Sequence, residues 1–89
     1  MRDRYLQITF QKGKPFAAYL YLPRGSDERS LRSEEAEHGM VIDYGANDHP
    51  IGVELTAPEF VTIERLNHVL LRLKMPLMRE EELAQLSVA

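Results

Sequence analysis

The stretch GMVIDYGANDHPIGVEL, from Gly39 to Leu55, constrains the fold more than any other part of the chain. Met40, Ile42 and Tyr44 alternate with Val41 and Asp43. Ile51, Val53 and Leu55 alternate with Gly52 and Glu54. A period of two puts each apolar triplet on one side of a pleated strand. Between them lie Gly45, Ala46, Asn47, Asp48, His49 and Pro50, residues that tolerate or fix the dihedrals of a chain reversal. Pairing Tyr44 with Ile51 sets Ile42 opposite Val53 and Met40 opposite Leu55. Both triplets then share one face, which makes a core-forming hairpin.

A second hairpin precedes it. Residues 4–10 alternate, with Leu6, Ile8 and Phe10 on one side and Tyr5, Gln7 and Thr9 on the other. Residues 11–15 are the turn, with Gly13 supplying permissive dihedrals and Pro15 ending the loop. Residues 16–22 form the returning strand. Pairing Phe10 with Phe16 puts Ile8 opposite Ala18, Leu6 opposite Leu20, Tyr5 opposite Tyr21 and Gln7 opposite Tyr19. One face is aliphatic and the other carries three tyrosines.

Residues 24–38 are ambiguous. Glu34, Glu35, Ala36 and Glu37 favour a helix with Gly39 as its C′ residue. Yet only Leu31 and Ala36 are apolar, so no stripe docks such a helix. The alternative is a polar loop with a charged edge strand over residues 30–36. Further on, Thr62 is an N-cap candidate, with Glu64 in the first turn and Lys74 near the end. Ile63, Leu66, Val69, Leu70 and Leu73 form the apolar stripe of a helix over residues 62–74, stopped by Pro76. Leu71 lies off that stripe, and a further contact is expected to cover it. A short second helix is expected over residues 80–86, anchored by Leu83 and Leu86.

These elements predict an α+β fold. Four to five antiparallel strands form a meander sheet, the helix at 62–74 packs on its Leu6/Ile8/Phe10/Leu20/Ile42/Val53 face, and the short helix follows. The chain's 89 residues suit one domain, with a sheet core at 4–55 and a helical segment at 62–89. The absence of cysteine excludes disulfides and thiolate chemistry. No apolar run approaches a membrane span and no signal-peptide pattern opens the chain, so the expected location is cytoplasmic, without a membrane partner. Residues 1–32 carry seven Lys/Arg and three Asp/Glu, whereas residues 33–89 carry four and eleven. Such asymmetry can mark a charged partner, but the preferred reading is that the halves of one small fold attract each other or that solvated faces differ in charge.

Ala18-Tyr19-Leu20-Tyr21-Leu22 resembles an A-L-Y-x-x-L strand. Residues 39–44 and 51–55 resemble a G-x-x-x-D-[YL]…[LIV]-G-[IV]-E-[IL] hairpin. Both are features of domain of unknown function 2283, a family of small, mostly bacterial proteins. The resemblance spans residues 4–60. It departs from the family at the first turn, where a Tyr-Asp-Pro-type sequence is usual, and at Asn47-Asp48-His49-Pro50, where an Asp-Gly turn is cleaner. No activity comes with the resemblance. What it implies is extended structure at residues 30–36, which favours the edge strand there.

No phosphate loop, nucleophile elbow or His-Glu-x-x-His sequence is present, and no cofactor is implied. His68 sits on the polar helix face and reads as solvated. Asp43, Glu54 and His49 lie in or near the central hairpin, with Asp43 opposite Gly52 and Glu54 opposite Val41. Two carboxylates and a histidine suit a divalent cation or acid–base work, so a metal-assisted or small-ligand enzyme is the alternative reading. Lys12, Lys14, Arg24, Arg29 and Arg32, with the tyrosines as stacking platforms, are the only material for nucleic-acid binding. Net acidity and the lack of a recognition motif argue against it. The expected function is therefore a non-enzymatic, oligomeric protein-interaction module, antitoxin-like in one form. The expected assembly is a homodimer, closed through the tyrosine face or through a C-terminal segment that crosses to its neighbour. Tyr5, Tyr19, Tyr21, Val41, Gly52 and Leu71 are the candidate interface residues.

Overall fold

The computed structural model describes residues 4–23, 28–58 and 61–83. Five strands, β1 (Tyr5–Gln11), β2 (Lys14–Tyr21), β3 (Arg32–Glu37), β4 (Met40–Tyr44) and β5 (Pro50–Leu55), precede two helices, α1 (Ile63–Arg72) and α2 (Glu80–Leu83). Within the ambiguous segment, residues 32–37 form the edge strand β3, and residues 24–27 lie outside the described residues. Glu34 and Glu35 pair with Ile42 and Val41 there, and Gly39 serves the β3–β4 turn at φ +81° instead of capping a helix.

The strands form one antiparallel sheet in the order β1-β2-β5-β4-β3. Only β3, β4 and β5 run as a meander. A meander throughout would set β3 beside β2, but β5 takes that place. The composition of the strands explains the exchange. β5 carries Ile51, Val53 and Leu55, all fully buried, and needs a neighbour on each side. β3 reads RSEEAE and tolerates an edge, where charge blocks further pairing.

The pairings assemble two apolar rows across the sheet. Leu6, Leu20, Val53 and Ile42 form one, and Ile8, Ala18, Leu55 and Met40 the other. Both hairpin registers agree with the sequence reading except at the turn-proximal ends. In the first hairpin a bulge brings Phe10 opposite Pro15, so Pro15 lies inside β2 and does not end the loop. In the second, a bulge after Asp43 brings Tyr44 opposite Pro50 in place of Ile51. The first turn holds Lys12 at φ 54° and Gly13 at φ 78°, the two left-handed residues that a tight hairpin needs for its strands to keep their twist. The second turn puts Asn47 and Asp48 in the same region, which their short polar side chains tolerate.

Helix α1 covers the apolar rows with Leu66, Val69 and Leu70, each fully buried in the core cluster, while Ile63 and Leu73 flank them. Phe10, expected under this helix, is instead 53% exposed at the turn-proximal end of β1, where the bulge shifts its pairing. Thr62 caps α1, its hydroxyl accepting from the Arg65 N–H at 3.2 Å. The helix ends before Pro76. The Met75 N–H donates to the Leu70 carbonyl and the Lys74 N–H to the Leu71 carbonyl, with Lys74 at φ 58°. This is the left-handed stop usually built with glycine.

Two side chains of α1 fasten what lies around it. Asn67 accepts from the Met78 N–H at 2.7 Å and donates to its carbonyl at 3.1 Å, pinning the return toward α2. Glu37, at the end of β3, meets His68 Nδ1 at 2.6 Å and Arg65 Nε at 3.7 Å. His68 is therefore a latch to the sheet as well as a solvated side chain. Of α2, Leu83 is buried, and Leu86 lies outside the described residues.

Two predictions follow from this packing. Leu66→Ala should lower the unfolding free energy by about 2–5 kcal/mol, read from urea denaturation. A loss under about 0.5 kcal/mol would mean the helix packs elsewhere. The second concerns acid. His68, hydrogen-bonded to Glu37, holds that carboxyl below the ordinary glutamate range. A pKa depressed by folding contributes stability above the unfolded value and loses it as pH falls through the folded one. Wild type should therefore exceed Glu37→Gln in urea midpoint near about pH 5.5, with the gap closing toward about pH 3. A gap that is flat over that range would refute the latch.

Candidate interaction face

The sheet face turned away from α1 carries two rows of its own. Tyr5, Tyr21, Gly52, Asp43 and Ser33 lie across the five strands in one, and Gln7, Tyr19, Glu54, Val41 and Glu35 in the next. The alternation that buries the aliphatic residues obliges these side chains to point the other way.

The tyrosines are fixed by their neighbours. Tyr19 leans diagonally over Gly52, so closely that a Cβ there would fall inside the phenol ring. Its hydroxyl reaches across β5 and donates to Asp43 Oδ2 at 2.7 Å, while Ser33 Oγ donates to Asp43 Oδ1 at 2.5 Å. Tyr21 packs at 4.6 Å between ring centroids from Tyr19 and stacks on Tyr5 at 4.5 Å, tilted by 14°. The Tyr21 hydroxyl donates to Gln7 Oε1 at 3.1 Å. Tyr19 and Tyr21 are half-buried by this mutual cover, and Tyr5 remains 43% exposed. A shallow groove of about 150 Å³ runs beside Tyr19, lined by Gln7, Thr9, Ala17 and Glu54. Glu54 and Glu35 are exposed on this face, and neither row contains a lysine or arginine.

The remaining candidates separate. Asp43 and Glu54 share the tyrosine face, but His49 does not join them. The bulge after Asp43 and the turn that follows carry it away, and its Nε2 lies 3.3 Å from the Pro23 carbonyl and 3.9 Å from Glu28. Both oxygens of Asp43 are engaged by hydroxyls. Among the described residues no three His, Asp or Glu side chains form a metal-holding group. The basic residues also disperse. Lys12 and Lys14 lie at the β1–β2 turn, whereas Arg32 sits on the far edge strand against Tyr44, 3.0 Å from Asp48. Arg24 lies outside the described residues. Leu71 is 66% exposed, uncovered by any further contact, and belongs to the helix layer, so it is not continuous with the tyrosines. Among the described residues no helix is long and apolar enough to cross a membrane.

The hairpin motifs bear directly on the family. A family model described as protein of unknown function DUF2283 matches residues 17–57, which hold most of β2 and all of β3, β4 and β5. Over that segment, 41 of the chain's 89 residues, the chain is similar to the DUF2283 family. The match is narrower than residues 4–60. The DUF2283 segment therefore contains Tyr19, Tyr21, Ser33, Asp43, Gly52 and Glu54, while Tyr5, Gln7 and α1 lie outside it. No curated protein and no solved structure matches the chain.

Register alone places Tyr21, Gly52 and Asp43 in one row, but not the diagonal reach of Tyr19 or the part played by Ser33 and Gln7. A large ring beside a glycine on the adjacent strand is the signal that points to such a reach. Gly52→Ala should cost about 1–3 kcal/mol, because the added methyl displaces the ring. In a Tyr19→Ala background the same change should cost well under about 1 kcal/mol, a coupling that a double-mutant cycle in urea reads directly.

Proposed function

We propose that this protein is a non-enzymatic interaction module whose tyrosine face receives a basic segment of another protein. The single observation that carries this reading is the preorganised aromatic cluster of Tyr5, Tyr21 and Tyr19, bordered by the carboxylates of Glu54 and Glu35. Tyrosine offers a large contact area at little cost in side-chain entropy, and rings already held by their neighbours lose still less on binding. The electron-rich ring faces attract guanidinium and ammonium groups, and bordering carboxylates select for them. A partner rich in arginine satisfies both features. Neutralisation of a basic toxin, as an antitoxin performs it, is one concrete form of this activity.

The test is affinity capture from native lysate, followed by binding of the captured protein to variants. A stoichiometric basic partner is expected, with affinity reduced at least about tenfold by Glu54→Arg and by Tyr5→Ala, roughly one contact's worth each. Absence of such a partner, or binding indifferent to both substitutions, would refute the reading. Circular dichroism of each variant establishes that the sheet is intact.

A further inference from the structure

The two edges of the sheet are built differently. β3 has four charged residues in six, the usual guard against unwanted pairing. β1 reads YLQITFQ, with no charge and no proline across seven residues, five of them exposed. Among the described residues β1 pairs with β2 alone, so its outer row of N–H and C=O groups meets no strand. Phe10 is 53% exposed on the face it shares with Leu6 and Ile8, and Phe16, beside the bulge, is 58% exposed. An uncharged edge with apolar side chains at its end is a template for another strand.

We propose that β1 pairs antiparallel with β1 of a second copy, joining two sheets into one of ten strands. A two-fold axis perpendicular to the sheet reverses the strand while keeping its faces, so aliphatic meets aliphatic. With the axis at Ile8, Phe10 of one copy stands opposite Leu6 of the other, and Gln7 opposite Thr9. Seven residues give a seam about 24 Å long, with about one hydrogen bond for each residue pair. The nearest charge before the strand, Arg4, is turned away toward Glu82 and the carbonyls of Pro76 and Leu77. Both α1 helices then lie on one side of the joined sheet, and both tyrosine faces lie on the other. The occupant is a second copy because one uncharged, two-faced strand complements itself.

The inference deepens the interaction-module reading and rests on it only in taking the protein to work by association. Light scattering of wild type at about 50 µM should give twice the 10.3 kDa chain mass. The double variants Gln7→Lys/Thr9→Lys and Gln7→Glu/Thr9→Glu should each be monomeric, since residues 7 and 9 stand opposite each other across the seam and would carry like charges. Mixing them in equal amounts should restore the dimer. A monomeric wild type, or a Lys variant that stays folded and dimeric, would overturn the proposal. Hydrogen exchange of wild type supplies a readout that does not depend on the variants folding. Protection of β1 amides should rise with protein concentration, and protection independent of concentration overturns the pairing. A dimer that ignores the basic partner defeats the first reading alone, and a monomer that binds it defeats this one alone.

Discussion

The structure depends on β5 lying between β2 and β4. Its Ile51, Val53 and Leu55 are fully buried. Each apolar row that α1 covers passes through it, as Val53 links Leu20 to Ile42 and Leu55 links Ala18 to Met40. A strand buried this thoroughly needs both rows of its backbone groups paired, because unpaired groups away from water are costly. The last strand in sequence therefore occupies the middle of the sheet, and the polar strand is displaced to the rim.

Most of this was legible in the chain. Alternation located four of the five strands, and residue pairing gave the cross-strand partners of Tyr5, Leu6, Ile42 and Met40. Thr62 and the Leu66/Val69/Leu70 stripe located α1. What escaped has definite causes. Strand order is a tertiary choice, set by which strand needs two neighbours, and local periodicity does not encode it. The two bulges each shift pairing by one residue near a turn, where backbone strain and not side-chain pattern decides the register. The end of α1 was legible from Pro76 to within two residues, but the left-handed turn that makes it was not, because Lys74 and not glycine takes that position.

The tyrosine face was legible as a set of residues but not as an arrangement. Alternation puts Tyr5, Tyr19 and Tyr21 on one side, yet says nothing of side chains crossing strands. Gly52 is what permits the crossing, since without a side chain it leaves a gap into which Tyr19 lies and through which its hydroxyl reaches Asp43. The same packing that makes the face rigid engages Asp43, and the turn that closes the hairpin carries His49 elsewhere. Of the residues that suggested acid–base chemistry, Asp43 thus supports an aromatic ring, while Glu54 stays exposed and His49 meets the Pro23 carbonyl.

The unequal guarding of the sheet's two edges has a consequence for growth. A strand stack with two open edges can add copies without limit, which is the route to fibres. Here one edge is uncharged and the other, β3, presents Arg32, Glu34, Glu35 and Glu37. Any joining at β1 leaves a β3 at each outer end, and two such edges set side by side bring carboxylates against carboxylates. Under the pairing proposed for β1, addition would terminate after a single event, and the limit on size would be written in the composition of one six-residue strand.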